Sequence, residues 1–94
     1  VISFRDINPQ APTHILIVPK RHIPSLAELA EDEVSLIGHM VNVANKLAKA
    51  EGISEKGYRL VLNCGAEGGQ LVPHLHMHLL GGRGLSGRMG SFRV

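Results

Sequence analysis

Residues 74–80 contain three histidines, each followed by an apolar residue. A spacing of two residues places side chains on the same face of a β-strand, whereas a helix would distribute them around its axis. The alternation therefore predicts a strand that presents His74, His76 and His78 on one face and apolar residues on the other. This strand is expected to end at Gly81 and Gly82.

Three further strands are predicted from apolar runs that end at turn-forming residues. Residues 1–5 form a short strand, and a turn follows because Asn8-Pro9 and Ala11-Pro12 each hold the residue before proline out of helical space. The β-branched run His14–Pro19 is typical of a buried central strand. We expect it to pair antiparallel with the first strand, and residues 58–63 to form the third.

One long helix is predicted over residues 31–51, after a helical turn at residues 25–29. Acidic residues at its start, lysines near its end and Gly52 after it all match the preferences of helix termini. Its apolar stripe is wider than contact with one sheet requires. We therefore expect burial on two sides, against the sheet and against a second copy of the chain.

These elements indicate a single small α+β domain over residues 1–94, with an antiparallel sheet packed on one helix. The glycine-, serine- and arginine-rich stretch 85–94 shows no periodicity, and we expect a flexible tail or one that reaches a partner subunit. Because the chain begins within a strand and without methionine, we also expect that its natural N-terminus is missing.

Composition excludes several classes of protein. The formal charge of +2 is not clustered, and aromatic residues make up only 3% of the chain, which argues against nucleic-acid binding. No run is long enough to span a bilayer, so no membrane partner is expected. Cys64 is the single cysteine, which excludes an internal disulfide and suits the cytoplasm.

The histidine row follows a glycine-rich segment, residues 63–70, whose backbone N–H groups can approach an anionic ligand. One interpretation is nucleophilic catalysis at phosphorus. A neutral imidazole attacks with one ring nitrogen while the other donates its hydrogen to a fixed acceptor. His76 is best placed for this role, since it has a histidine on each side along the strand.

Two other interpretations remain open from the residues alone. Two histidines at positions i and i+2 of the strand, together with a third from a neighbouring segment such as His14, could bind zinc. However, no acidic residue within the motif provides the usual general base or supporting carboxylate. The row could also be an inert polar face, but burying several imidazoles together without compensation is costly. For isolated histidines such as His22 and His39, the inert interpretation is the better one.

The segment His74–Leu80 resembles the His-x-His-x-His-x-x signature of the histidine-triad (HIT) superfamily. The segments Phe4–Lys20, Gly57–Asn63 and Leu80–Arg83 also resemble that superfamily, and in particular its Hint branch of nucleotide-binding proteins. The resemblance covers residues 1–84.

This resemblance implies a HIT-like fold whose sheet continues across a homodimer. It also implies metal-independent hydrolysis of purine nucleoside 5′-phosphoramidates through a covalent nucleotidyl-histidine, with no cofactor. The implied catalytic set is His76 as nucleophile, with His74, His78 and His14. The implied nucleotide-binding set is Asp6 on the ribose, Ile7 beside the base, Asn63, Gly69, Gln70, Leu71, His76 and His78.

Two positions depart from the Hint pattern. Leu71 stands where a serine often contacts the phosphate or the leaving nitrogen, so only its backbone is available there. Pro73 stands where a tyrosine is common.

The alternatives to phosphoramidate hydrolysis are a dinucleoside polyphosphate hydrolase of the Fhit branch, which uses the same nucleophile, and a nucleotide-binding regulatory module with little turnover. For Asp6, a turn-stabilising role is the alternative to binding ribose.

Overall fold

The structure is a computed structural model that describes residues 1–85. Its strands are β1 (Ile2–Arg5), β2 (Thr13–Val18), β3 (Tyr58–Val61) and β4 (Met77–Gly81), and its long helix is α1 (Val34–Ala50). Two short 3-10 turns, Leu26–Glu28 and Glu31–Glu33, precede the helix. The predicted helix and the predicted helical turn are therefore confirmed, although the first turn of the helix is 3-10 in form.

The four strands form one antiparallel sheet in the order β1-β2-β4-β3. The predicted pairing of the first two strands is confirmed, with Phe4 opposite Leu16. The centre of the sheet is β2 beside β4, where Leu16 lies opposite His78 and His14 opposite Leu80. Because directly opposed residues share a face, this register places His14 and His78 on the same side of the sheet.

One face of the sheet packs against the helix, and the other holds the histidines. On one face, alternate residues of β2 and β4 pack against α1 and form the main core, which comprises Ile15, Ile17, Met40, Ala44, Ala48, Ile53, Met77 and Leu79. The opposite face holds the histidines and a smaller apolar cluster of Ala11, Val61 and Leu80. The helix thus covers the centre of one face, at β2 and β4, and the histidines lie on the opposite face.

The histidine strand is shorter than predicted. β4 begins only at Met77, so His74 and His76 precede it. Continuing the register beyond Ile17 and Met77 would place Pro19 opposite Leu75, and Pro19 has no N–H to donate. The chain is held differently there, since the N–H of Leu75 donates to the carbonyl of Ile23 at 2.7 Å. The alternation itself persists, because Leu75 and Met77 are buried on the core side.

The helix buries a narrow row of side chains, Met40, Ala44 and Ala48. Larger apolar residues on either side of this row are only partly buried, namely Leu36, Ile37, Val41, Val43 and Leu47. The expected second contact, with another copy of the chain, stays a prediction. Among residues 1–85, no helix combines the length and apolar character needed to cross a membrane.

The predicted tail falls mostly outside the described residues. Leu85, its first residue, is partly buried and packs against the cluster of Ala11, Val61 and Leu80.

Leu79 and Leu71 provide a matched test of this core. Leu79 is 0% exposed between the sheet and the helix, whereas Leu71 is 68% exposed. We expect Leu79→Ala to lower the free energy of unfolding by about 2–5 kcal/mol, because it leaves a cavity in a packed interior. Leu71→Ala should change it by less than about 0.5 kcal/mol. Urea denaturation of both variants checks this, and equal losses would contradict the assignment of the core.

Candidate active site

His14 and His78 form a buried pair at the centre of the histidine face. Nε2 of His14 lies 2.9 Å from Nδ1 of His78, and the N–H of Gln10 donates to Nδ1 of His14 at 3.1 Å. A ring nitrogen that accepts a hydrogen bond carries no hydrogen, so neutral His14 must carry its hydrogen on Nε2. It therefore donates to Nδ1 of His78. Neutral His78 in turn carries its hydrogen on Nε2.

Burial keeps both rings neutral. Desolvation lowers the pKa of His14, against an opposing effect of the Asp6 carboxylate. The pKa of His78 is lowered to about 4, first by desolvation and then by the neighbouring histidines, again opposed by Asp6. The pair is thus neutral at neutral pH, as the tautomer argument requires.

Asp6 lies at the edge of this pair. Its Oδ1 accepts the N–H of Asn8 at 2.8 Å, and its Oδ2 lies 3.6 Å from Nε2 of His14. The turn-stabilising role considered for Asp6 is therefore present. It does not preclude ribose binding, because each carboxylate oxygen can accept more than one hydrogen bond.

His76 is held by the backbone of the residue two positions earlier. Its Nδ1 lies 2.6 Å from the carbonyl oxygen of His74. A carbonyl only accepts, so Nδ1 of His76 must donate, and in the neutral ring Nε2 keeps its lone pair. The ring also packs edge-on against His78, with centroids 4.9 Å apart. This is the arrangement that a nucleophilic imidazole requires.

His74 belongs to a second imidazole pair, with His22. Nε2 of His74 donates to the carbonyl of Pro19 at 3.1 Å, which leaves its Nδ1 to accept from Nδ1 of His22 at 2.9 Å. The sequence interpretation of His22 as an isolated, inert histidine was therefore wrong about its surroundings. No periodicity links His22 to the triad, because the loop after β2 brings it there.

The glycine-rich loop is organised by the Gln70 side chain. Its Oε1 accepts the N–H of Gly65, and its Nε2 donates to the carbonyls of Pro24 and Val72. The backbone N–H groups of Gly69 and Gln70 donate within the loop, to Ala66 and Gly65. In this structure both residues therefore shape the loop, and their expected contact with phosphate stays a prediction.

An apolar cavity of about 390 Å³ adjoins His76. Its lining consists of Phe4, Leu16, Val18, Val72, His74 and His76. The four apolar residues were not identified from the sequence, although Leu16 and Val18 follow His14 at the same spacing of two that identified the triad. Ile7, expected beside the base, is 92% exposed and is not among the lining residues.

Asp6, His14 and His78 also bring three potential metal-ligand atoms within 4.8 Å of one another. A neutral imidazole that binds a metal through Nε2 carries its hydrogen on Nδ1, where metal sites normally provide an acceptor. At His14 that position faces a donor, the N–H of Gln10. A metal would have to displace this hydrogen bond, so the donor set does not fit a metal ion.

A family model described as "HIT domain" matches residues 1–85. The chain belongs to the HIT family. It is 54% identical over 85 residues to the purine nucleoside phosphoramidase of Escherichia coli K12, which covers 90% of this chain and 71% of that protein.

Solved HIT structures agree with the fold. A HIT family hydrolase from Legionella pneumophila superimposes with a TM-score of 0.90 at 52% identity, covering 94% of this chain and 79% of that one. A histidine triad protein from Clostridium difficile gives a TM-score of 0.89 at 45% identity, covering 92% of this chain and 75% of that one. The expected HIT-like fold, an antiparallel sheet on one helix, is thus confirmed for this HIT domain.

The neutral histidine pair predicts a pH dependence of stability. Unfolded histidine has a pKa near 6.5, whereas that of folded His78 is about 4. Between these values the unfolded chain binds more protons, so the free energy of unfolding should fall as pH falls from about 6.5 to about 4. The loss attributable to His78 is on the order of 3 kcal/mol at most.

Denaturant unfolding at several pH values measures this slope. We expect His78→Gln, whose amide can still accept from His14, to reduce it, and His39→Gln on the exposed side of α1 to leave it unchanged. Identical slopes in wild type and His78→Gln would contradict the assignment.

Proposed function

We propose that this HIT domain hydrolyses purine nucleoside 5′-phosphoramidates through a covalent nucleotidyl-His76 intermediate. The observation that carries the proposal is the 2.6 Å contact between Nδ1 of His76 and the carbonyl of His74. It fixes the tautomer in which Nε2 is unprotonated and nucleophilic. The relative named purine nucleoside phosphoramidase, at 54% identity, supports the same reaction class.

In this mechanism Nε2 of His76 attacks the 5′-phosphorus, the new N–P bond forms, and the P–N bond to the amine breaks. The leaving nitrogen takes one proton from water, so the amine departs as a neutral molecule. The His76 ring becomes cationic in the intermediate, and the carbonyl of His74 stabilises that charge through Nδ1–H. Water then cleaves the N–P bond, which releases the nucleoside monophosphate and restores neutral His76.

His78 assists from the adjacent ring. Since its Nδ1 accepts the hydrogen of His14, the ring hydrogen of His78 lies on Nε2, and we place this N–H against a phosphoryl oxygen of the substrate at His76. The low pKa of His78 means that this group is a neutral donor at neutral pH. It can therefore stabilise developing charge on the phosphoryl group without requiring a cationic ring beforehand.

The remaining contacts are assigned by position. The apolar cavity beside His76 is large enough for part of a nucleobase, and Asp6 at the edge of the His14–His78 pair would accept ribose hydroxyls. Ile7 would fold over the base, and Asn63 would contact phosphate or ribose. We place Gly69, Gln70 and Leu71 at the phosphate through the loop that Gln70 organises.

We further propose that residues 1–94 form a single HIT domain. Two copies of the chain would associate as a homodimer in the cytoplasm. The partly buried apolar residues beside the central row of α1 support a second contact for the helix. The lone, partly buried thiol of Cys64 suits a reducing compartment. Light scattering after gel filtration tests the dimer, and a mass of one chain at micromolar concentration would contradict it.

The decisive assay is release of AMP from adenosine 5′-phosphoramidate in excess EDTA. We expect wild type to turn over and His76→Ala to lose at least roughly a thousandfold in kcat, because the covalent route is removed. His39→Ala, on the exposed side of α1, is the matched histidine control and should retain the wild-type rate. Adenosine monophosphate should still bind His76→Ala, since most of the cavity is formed by other residues.

The same assay separates the alternatives. Faster turnover of diadenosine polyphosphate than of the phosphoramidate would favour a hydrolase of the Fhit type. Tight nucleotide binding without product from either substrate would favour a regulatory module. Loss of wild-type activity in EDTA would contradict the metal-free mechanism.

A further inference from the structure

Arg83 lies after β4 and contacts the turn that precedes β2. Its Nη2 donates to the carbonyl of Gln10 at 2.7 Å, and its Nη1 donates to the carbonyl of Gly84 at 3.0 Å. The bond to Gly84 holds the guanidinium against the backbone of the next residue. The bond to Gln10 connects two parts of the chain that are 73 residues apart.

Gly82 brings this part of the chain close to the same turn. Its φ is +94°, which side-chain-bearing residues rarely adopt, and a Cβ at this position would lie 2.9 Å from Cβ of Pro12. Any other residue would therefore push the turn away. Gly82 and Arg83 together hold the turn at two points, Pro12 and Gln10.

The turn carries the group that sets the tautomers of the buried pair. The N–H of Gln10 donates to Nδ1 of His14, and its carbonyl receives Arg83, so both backbone polar groups of this residue are engaged. Gln10 is exposed, its bond to Arg83 lies at the surface, and its bond to His14 is partly buried. Without a fixed position for Gln10, Nδ1 of His14 could take the hydrogen instead, and Nε2 would no longer donate to His78.

We propose that Arg83 is a positioning residue for the histidine pair. It holds Gln10 so that the Gln10 N–H keeps Nδ1 of His14 unprotonated, and this places the ring hydrogen of His78 on Nε2. Arg83 itself touches neither substrate nor the reacting atoms. The proposal rests on the proposed phosphoramidate hydrolysis only for its effect on rate, since the tautomer effect can be measured without substrate.

The test compares Arg83→Gln and Arg83→Lys with wild type. In Arg83→Gln we expect kcat for adenosine phosphoramidate to fall about three- to tenfold, the equivalent of one exposed hydrogen bond, with KM little changed. Arg83→Lys keeps a cationic donor and should recover most of the rate. Arg21→Gln removes another exposed arginine, paired with Glu33 at 2.8 Å, and should behave as wild type.

Nitrogen-15 NMR of the histidine rings distinguishes positioning from a general structural role. In wild type, the Nδ1 resonance of His14 should report an unprotonated nitrogen. Arg83→Gln should shift it towards the protonated form, while the resonances of His22 and His74 stay unchanged. Gly82→Ala, which displaces Pro12, should shift it in the same direction if circular dichroism shows a native fold.

Three outcomes would decide the matter. A lower kcat with an unchanged His14 resonance would overturn the proposal, because Arg83 would then act by another route. Unchanged rate and unchanged resonance would also overturn it. A shifted resonance in a protein whose wild type does not hydrolyse the phosphoramidate would support the positioning role while contradicting the proposed function.

Discussion

The hydrogen bond from the Gln10 N–H to Nδ1 of His14 is the constraint on which the histidine face depends. Imidazole can donate or accept at either nitrogen, so a chain of imidazoles has no inherent direction. A backbone N–H can only donate, and it therefore gives the His14–His78 pair one direction. The same bond also explains why the pair does not suit a metal, because metal binding at His14 would require the opposite tautomer.

A second backbone group, which can only accept a hydrogen bond, orients His76. The carbonyl of His74 can only accept, and it fixes the ring of His76 just as the Gln10 N–H fixes that of His14. Both constraints come from the backbone, which has no rotamers of its own and does not titrate. The tautomers of His14 and of neutral His76 are thus each selected by a backbone group.

The division of the sheet into two faces allows a small domain to form both a packed core and a histidine site. Met77 and Leu79 pack against α1, while the intervening residue, His78, faces the site. One strand thus contributes to the core and to the chemistry, and the helix stabilises both at once. Desolvation of His78 and His14 follows from their position against this packed sheet, and it keeps their pKa values low.

The sequence alone was enough to predict the strands, the long helix and the common face of the three histidines, because these depend on local periodicity. The position of His76 between two histidines made it the candidate nucleophile, and the resemblance carried by His74–Leu80 added the family. The start of β4 at Met77, which leaves His74 and His76 outside the strand, was harder to predict, since it depends on how far the pairing with β2 extends.

Only the tertiary structure decided which groups meet the histidines. His22 reaches His74, Gln10 reaches His14 and Arg83 reaches Gln10 through loops whose paths no periodicity encodes. The tautomers depend on these long-range contacts, because each is set by whether the neighbouring atom donates or accepts. The sequence therefore determined which histidines alternate along one segment, and the folded chain determined the tautomers that their neighbours select.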